Sequence, residues 1–371
     1  MTPKETGLGP SRFRNPRTRS TATSILAFAS VLGASPSCEP GPEQESILAH
    51  TVTLGVREGP GAIPSKPMDL LVQENGDFVL LVSVQAPRPL PMVFDSTGAF
   101  LRELGGSGQG PGEFRAAMAG AVLPGDSLIF HDLLLGRASI LRSDGTFSRS
   151  VSLRGQVSRI AAVSWPDTVL LTFFPSGAAG TSFRLVDLSE PSGRELAAFG
   201  DPWRVGNEAL SESIRHSSLP VGGSLWVADN LRYRIRQFGL SGEVLHTLAP
   251  ESDWFLEGVG NLSPDSPPPS GLTGIEQIGG SLIVSGRVAS EQWETAWEDA
   301  EGSGPVRTPP EPELWDSIIE LRSSGSGEVL GSQRIPGIVF RILPDGRVAV
   351  WEQDEVGYLF VKVYELHFEG L

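Results

Sequence analysis

The chain of 371 residues contains a single cysteine, Cys38, so no disulfide can form within it. Its five histidines include no spaced pair of the His-Glu-x-x-His kind that marks a zinc site. A Gly-x-Ser-x-Gly elbow and a phosphate-binding P-loop are also missing. The sequence therefore identifies no catalytic residue and no metal site, and we expect no cofactor.

Long apolar runs and an excess of basic residues are missing as well. The apolar run at 24–33 has about ten residues, whereas a helix needs roughly 20 to span a bilayer. Without residues 1–37 the chain carries 24 basic and 43 acidic side chains, a net charge of −19. This charge excludes nucleic acid as a favoured partner. We expect a monomer.

The N-terminal residues have the three parts of an export signal. A basic segment at 12–19 precedes the apolar run at 24–33, and small residues follow at 34–37. The run is too short to remain as a membrane anchor. We therefore predict a signal peptide over 1–37.

Cys38 comes directly after this signal and is followed by acidic, proline-rich residues at 39–45. The arrangement resembles a bacterial lipoprotein signal, which is cut before its cysteine and lipid-modified there. That resemblance implies an exported protein held in the cell envelope by a lipid on Cys38, in the periplasm or at the cell surface, with a flexible linker over 38–46. The alternative is ordinary secretion, with Cys38 removed or left as a free thiol.

Glycine and proline are abundant, at 44 and 30 residues, as in a turn-rich β protein. Residues 125–145 and 222–242 align without a gap. In both, a turn leads into an apolar strand that ends at an aspartate, Asp132 or Asp229, and an arginine opens the next strand five residues later. The chain is therefore built from repeats. We expect Asp132–Arg137 and Asp229–Arg234 to form structural ion pairs.

Six apolar segments recur after turn signals spaced 49, 41, 56, 57 and 66 residues apart. Periods of about 40 to 60 residues with four short strands each are typical of β-propellers. The six segments are 78–84, 127–131, 168–174, 224–228, 281–285 and 347–351.

The two ends of the repeat region predict how the ring closes. The last unit stops one strand short of four, and residues 47–54 form an apolar strand with no partner of their own. Pairing the two would remove both exposed edges. We therefore predict an all-β fold, a six-bladed β-propeller over 47–371, closed by an N-terminal strand that completes the last blade.

Residues 105–114, Gly-Gly-Ser-Gly-Gln-Gly-Pro-Gly-Glu-Phe, connect the first two units. They resemble the Gly-Pro-Gly-Glu-Phe linker of bacterial six-bladed propeller lipoproteins related to NHL-repeat proteins. Residues 224–230 and 234–238 are similar to an NHL blade. The resemblance implies an exported propeller, and proteins of this family often have no assigned activity.

Three long insertions, at 200–208, 250–270 and 290–315, are predicted on one rim of the propeller. Long loops on a rigid scaffold commonly form binding sites. The insertions carry five of the eight tryptophans beside several carboxylates, which suits a sugar, a peptide or a cationic group. The alternative is that these rings pack the insertions against the ring of blades. The candidate binding residues are Trp203, Arg204, Tyr233, Trp254, Phe255, Trp293, Trp297 and Trp315.

Two functions remain open. One is a non-catalytic binding or scaffold module that recognises a peptide, glycan or protein on the rim with the long loops. The other is a metal-dependent enzyme of the lactonase or lyase kind, which has the same architecture and a site in the central channel. Asp69, His216 and Glu276 are the titratable inner-strand residues visible for such a site.

Overall fold

The computed structural model describes residues 47–164, 167–174, 180–203, 214–250, 252–257, 262–301 and 310–367. Six four-stranded antiparallel sheets succeed one another along the chain and form a six-bladed β-propeller. Residues 1–46, which contain the expected signal peptide, Cys38 and most of the linker, lie outside the described residues, as does Arg204.

Each blade consists of four strands in sequence order, from the innermost to the outermost. Blade 1 contains β2 (Pro67–Val72), β3 (Phe78–Val82), β4 (Met92–Phe94) and β5 (Phe100–Glu103), and blade 2 contains β8 (Ala117–Leu123), β9 (Ser127–Asp132), β10 (Arg137–Leu141) and β11 (Phe147–Ser152). Blade 3 contains β12 (Val157–Ser164), β13 (Thr168–Phe173), β14 (Gly180–Asp187) and β15 (Arg194–Trp203).

Blades 4 and 5 repeat this order, and blade 6 takes its outermost strand from the N-terminus. Blade 4 contains β16 (Arg215–Ser217), β17 (Ser224–Asp229), β18 (Ile235–Gly239) and β19 (Val244–Leu248), and blade 5 contains β20 (Gly271–Ile278), β21 (Ser281–Ala289), β22 (Trp315–Ser323) and β23 (Val329–Ile335). Blade 6 contains β24 (Ile338–Ile342), β25 (Val348–Gln353), β26 (Leu359–Leu366) and β1 (Leu48–Leu54).

The ring closes through β1, as the unpaired ends of the sequence predict. β1 pairs antiparallel with β26, from Leu48 opposite Leu366 to Leu54 opposite Val361. The Thr51 hydroxyl donates a hydrogen bond of 2.9 Å to the Val363 carbonyl. The N-terminal strand therefore satisfies the ladder edge that β26 would otherwise expose.

A glycine turn supports this closure from blade 1. Gly98, between β4 and β5, has a φ of +89°, and a Cβ there would lie 2.3 Å from the Thr53 carbonyl oxygen. Only glycine combines this left-handed conformation with such a close approach to β1. The turn of one blade thus rests directly on the closing strand.

Apolar side chains fill the spaces between blades because sheet faces of neighbouring blades pack together. Trp226 and Ile235 of blade 4, for example, pack with Leu272 and Leu282 of blade 5. The largest cluster joins blades 1 and 6 and includes Trp297 of the blade 5 insertion. Blade-to-blade burial, rather than a single central core, holds the molecule together.

The connections between strands differ in length on the two faces of the ring. Consecutive strands are antiparallel, so connections alternate between faces along each blade. On one face no connection between the described strands exceeds six residues. The other, here called the long-loop face, carries the connections at 55–66, 104–116, 204–214, 249–270 and 290–314.

Three details complete this outline, and the second corrects the insertion expected at 200–208. Blade 4 begins with the three-residue strand β16, which has too few residues to show an apolar alternation. Residues 200–203 continue β15 instead of starting an insertion. The 290–314 connection contains two helices, α1 (Trp293–Glu301) and α2 (Glu311–Leu314), and the Ser290 hydroxyl accepts a hydrogen bond of 3.0 Å from the Gln292 amide before α1.

Two small strands, β6 (Gly106–Ser107) and β7 (Glu113–Phe114), shape the link between blades 1 and 2. They pair in parallel, and the Glu113 carboxylate accepts a hydrogen bond of 2.7 Å from the Gly110 amide. Phe114 is fully buried at the end of this link. The Gly-Pro-Gly-Glu-Phe segment is therefore a compact loop anchored by its phenylalanine.

Candidate functional site

Five of the six inner strands place polar or charged side chains at the end of the central channel that opens toward the long-loop face. They line a cavity of about 120 Å³. The residues that define this channel cluster are Asp69 on β2, Arg159 on β12, His216 on β16, Glu276 on β20 and Arg341 on β24. Asp69, Arg159, His216 and Arg341 face the cavity, and Glu276 is buried behind it.

Asp69 and Arg341 form the first ion pair of the channel cluster. The Arg341 Nε lies 3.3 Å from Asp69 Oδ1, and the two side chains are 10% and 3% exposed. The Asp69 carboxylate also accepts hydrogen bonds from the amides of Leu70 and Gly120, at 3.0 and 3.2 Å. Asp69 therefore joins blades 6, 1 and 2 around the channel axis.

Arg159 and Glu276 form the second pair, across the channel between blades 3 and 5. Arg159 Nη2 donates to Glu276 Oε2 at 2.6 Å, and the Leu219 amide donates to Oε1 at 2.7 Å. Arg159 Nη1 donates to the Ser217 carbonyl. Since Ser217 and Leu219 belong to blade 4, this pair fixes three successive blades relative to one another.

Burial governs the titration of these groups. It raises the pKa of Asp69 above its usual value, although the charges of Arg341 and Arg159 and two backbone hydrogen bonds act in the opposite direction. Burial likewise lowers the pKa of Arg341. Burial and the positive charges of Arg287, Arg159 and Arg215 lower the pKa of His216 to about 4, so its imidazole is neutral at pH 7.

Part of the hydrogen-bonding capacity of this cluster is unused by the described part of the chain. Arg159 Nε and Arg341 Nε have no hydrogen-bond partner there. The pKa values of Arg341 and His216 are shifted by burial and by nearby charges, and no hydrogen bond from the described residues contributes to either shift. The cavity therefore offers donors that a ligand or water could engage.

The structure brings three of the candidate binding residues together at the junction of blades 4 and 5. The Tyr233 ring lies 5.4 Å from Trp254 and 5.3 Å from Phe255. Glu320 accepts hydrogen bonds from the Tyr233 hydroxyl and, at 2.8 Å, from Trp254 Nε1. A Cβ at Gly286 would lie 2.3 Å from the Trp254 ring, so glycine makes room for it.

A second group of candidates lies in the insertion of blade 5. Trp297 and Trp315 are 5% and 4% exposed and belong to the apolar cluster that joins blades 1 and 6. Trp293 is partly buried against the same cluster. The Trp315 ring also stacks on Arg287, whose guanidinium carbon lies 4.7 Å from the ring centre. These described contacts pack the insertion against the ring.

The two remaining candidates, Trp203 and Arg204, lie where β15 ends. Trp203 is the last residue of β15, opposite Gly180 in the register of the sheet. Arg204 follows it outside the described residues. Six of the eight candidates therefore form two separate groups, one around Tyr233 and one around Trp315.

The two repeat-related aspartates have different partners. Asp229 pairs with Arg234, whose Nε lies 2.6 Å from its carboxylate, as expected. Asp132 instead accepts hydrogen bonds from three backbone amides, those of Arg115, Ala116 and Leu135. Arg137 donates to the carbonyls of Gly110 and Glu113, at 2.6 and 3.1 Å. The expected Asp132–Arg137 ion pair is therefore replaced by contacts to the link between blades 1 and 2.

The channel residues do not fit a metal centre. Within the described ranges, no group of three or more His, Cys, Asp and Glu side chains could hold a metal ion. Asp69 and Glu276, the two inner-strand carboxylates, are engaged by Arg341 and Arg159. A bound metal would have to displace both arginines.

The sequence signals for this site were partial. Asp69, His216 and Glu276 are predictable as titratable inner-strand residues, whereas Arg159 and Arg341 are harder to recognise. Each arginine occurs in a mostly apolar strand without a regular alternation, so the local pattern does not say which way its side chain faces. An unpaired basic residue on a strand that must line the channel is the signal that could have revealed them.

Comparisons with known proteins support the fold. The chain resembles a member of the DUF4221 family from Bacteroides vulgatus, with a TM-score of 0.60, 12% identity, and coverage of 86% of this chain and 97% of that chain. It also resembles a Bacteroides fragilis protein described as exported, with a TM-score of 0.51, 12% identity, and coverage of 87% and 96%. No protein-family model and no curated protein matches the chain. Among the described residues, no helix has the length and apolar character needed to cross a membrane.

Proposed function

We propose that this six-bladed propeller is an exported, lipid-anchored, non-catalytic binding module that recognises a peptide, glycan or protein on its long-loop face. One observation carries the proposal: every connection longer than six residues between the described strands lies on that face. Loops that extend from a rigid scaffold supply most binding surfaces. The opposite face offers only tight turns.

Binding is favoured over catalysis because the channel carboxylates are occupied by ion pairs. Asp69 and Glu276 are each paired with an arginine. The charges that act on the imidazole of His216 are those of three arginines, and none is that of a carboxylate. An acid–base pair or a metal ligand set needs carboxylates and imidazoles directed at a common point. Metal analysis of the purified full chain tests this part. We expect less than stoichiometric zinc and calcium, and one tightly bound ion per chain would contradict the proposal.

Among the candidate binding residues, Trp254, Phe255 and Trp293 are the proposed ligand contacts, since their side chains are only partly buried. The rings of Tyr233 and Trp315 lie beneath them and hold them in place. Partly exposed aromatic rings bind sugars and peptides through flat apolar contact with little loss of side-chain entropy. The proposal keeps Trp203 and Arg204, at the start of the 204–214 connection, and Trp297, in the 290–314 connection, as supporting residues of the same face.

A photo-crosslinking amino acid distinguishes the two faces. Gln292, exposed just before α1 on the long-loop face, and Asn75, exposed in the β2–β3 turn on the opposite face, provide matched positions. In cells, irradiation should yield a shifted species from the Gln292 variant and none from the Asn75 variant. Equal products at both positions, or a product at Asn75 alone, would contradict the proposal.

Anchoring through Cys38, and with it the relationship to NHL-type propeller lipoproteins, is the finer part of the proposal. It is supported by the signal-like order of residues 12–38 and by the Gly-Pro-Gly-Glu-Phe link at 110–114. Replacement of Cys38 by Ser should move the full chain from the membrane fraction to the soluble fraction and abolish labelling by a fatty-acid analogue. Ser37→Ala is the matched control. Persistent membrane association of Cys38→Ser would show that the anchor lies elsewhere.

A further inference from the structure

The channel cavity is rich in arginines, in contrast to the acidic chain around it, which carries a formal net charge of −15. Arg159, Arg215 and Arg341 line the cavity. Each is paired with a carboxylate, that of Glu276, Asp229 or Asp69 respectively. Arg287 lies close enough to be the largest charge acting on His216. The N–H groups that these carboxylates do not occupy can donate to an anion in the cavity.

The geometry leaves one arginine underused. The side chain of Arg341 is nine-tenths buried and faces the cavity, and its Nε lies near Asp69 without meeting the geometry of a hydrogen bond. No described residue accepts a hydrogen bond from its guanidinium. A buried guanidinium with unpaired N–H groups is costly unless something else accepts them. Water or a guest in the cavity can supply the missing acceptor.

Other donors surround the same space. His216 and the hydroxyls of Thr172 and Ser217 line the cavity, and the two hydroxyls lie 2.8 Å apart, where either can donate to the other. The neutral imidazole of His216 can donate one hydrogen bond to a guest. The cavity volume is about 120 Å³, which is enough for one small polar group.

We propose that the channel cluster binds the oxyanion terminus of a ligand, a carboxylate or a phosphate, which accepts hydrogen bonds from Arg341, His216 and the hydroxyl pair. The inference rests on the proposed function, because it assigns the chemistry recognised at the centre of the long-loop face. Planar guanidinium groups match both oxyanions, through two parallel N–H groups. The rest of the ligand then extends toward the aromatic residues of the loops.

Titration calorimetry on the purified full chain tests the proposal with two probes, inorganic phosphate and succinate. The wild type should bind at least one of them at one equivalent per chain, and the stronger probe identifies the oxyanion. The double variant Asp69→Asn/Arg341→Gln removes one negative and one positive charge, so the net charge of the channel is unchanged. It should bind the same probe at least tenfold more weakly, because the principal donor is lost.

Arg102→Gln is the matched control, because Arg102 is exposed on the outermost strand β5 and remote from the channel. This variant should bind like the wild type. If the double variant does not fold, His216→Gln replaces it, since no hydrogen bond of His216 to the described chain would be lost, and at least a threefold weakening is expected.

Three results would overturn the proposal. These are no heat of binding from either probe at millimolar concentration, equal affinity of the wild type and the channel variants, and an equal loss of affinity in Arg102→Gln. None of them bears on the photo-crosslinking result at Gln292. A crosslinked partner on the long-loop face without oxyanion binding would leave the proposed function intact and remove only this inference.

Discussion

The two ends of the central channel are built from the same inner strands but have opposite chemistry. Toward the long-loop face the channel contains Asp69, Arg159 and His216. Toward the opposite face it is lined mainly by aliphatic side chains around a space of about 100 Å³. These are Leu70, Leu71, Val72, Ala121, Val122, Ile160, Ala162, Leu219 and Pro344, with Arg341 at the boundary between the two ends.

This difference indicates a division of tasks along the axis. The aliphatic end is closed by side chains that pack blade against blade, which suits a structural role. The charged end requires that several ionisable groups be desolvated, and such an arrangement is rarely retained for stability alone. We therefore propose that recognition is confined to the charged end, whereas both ends hold the blades together.

The largest expected effect comes from breaking one ion pair at the charged end. Asp69→Ala should lower the free energy of unfolding by about 3–5 kcal/mol, because Arg341 would remain buried without its carboxylate. Two backbone amides, those of Leu70 and Gly120, would also lose their acceptor. Urea unfolding measures the change. The double variant Asp69→Asn/Arg341→Gln should recover most of it, and a loss below about 1 kcal/mol for Asp69→Ala would contradict the burial of this pair.

A truncation at the aliphatic end should separate stability from binding. Leu71 is 4% exposed and packs with the cluster between blades 1 and 2. Leu71→Ala should therefore cost about 2–4 kcal/mol of unfolding free energy through lost burial and the cavity left behind. Its affinity for phosphate or succinate should equal that of the wild type. A joint loss of stability and affinity would remove the division between the two ends.

The pH dependence of stability sharpens the comparison further. His216 has a pKa of about 4 in the native state and 6.5 as its ordinary value. Between these pH values the unfolded state binds the additional proton, so stability falls as the pH decreases from 6.5 to 4 and is constant above 6.5. The contribution amounts to about 3 kcal/mol.

The charges that face His216 are those of Arg287, Arg159 and Arg215. Asp69 titrates in the opposite sense, because its raised pKa favours the protonated native state at low pH. The informative quantity is therefore the difference between the wild type and His216→Gln in unfolding experiments. Between pH 7 and pH 4, the unfolding free energy of the wild type should fall by about 3 kcal/mol more than that of His216→Gln. A constant difference would contradict the burial of a neutral imidazole.

The smallest expected effect lies outside the channel, where the blade 5 insertion reaches blade 1. Lys66 pairs with Glu311 of α2, and the two side chains are 43% and 41% exposed. Because solvent screens such pairs, Lys66→Met should change the unfolding free energy by less than about 1 kcal/mol. Thermal unfolding at low and high salt measures it. A larger loss would contradict this expectation and would mean that the contact between the insertion and blade 1 contributes substantially to stability.

The fold was largely predictable because its signals are local. Strands such as β9 and β17 follow tight turns and contain short apolar runs, Leu-Ile-Phe and Leu-Trp-Val-Ala, so they can be recognised one at a time. The closing strand was predictable for a different reason, since an unpaired apolar segment at one end matched a missing strand at the other. β16 cannot be recognised in this way, because three residues, Arg215–Ser217, carry no periodic signal.

The candidate site was much less predictable, because its contacts join residues that are distant in sequence. Arg159 and Glu276 are 117 residues apart, and the sequence around each one gives no indication of its partner. The repeat itself can mislead, as Asp132 and Asp229 show. Arg137 donates to the link at 110–114, whereas Arg234 pairs with Asp229, so equal positions in the two repeats acquire different partners.

The most direct test of the charged channel end is a pH titration of the histidine side chains by NMR, with and without phosphate. The chain has five histidines, and variants assign each signal. We predict that His216 titrates near pH 4 in the free protein, and that phosphate or succinate, whichever binds more tightly, shifts its signals and raises its pKa while the signals of exposed His50 do not change. A His216 that titrates near 6.5, or one whose signals respond to neither anion, would contradict the assignment of recognition to this end of the channel.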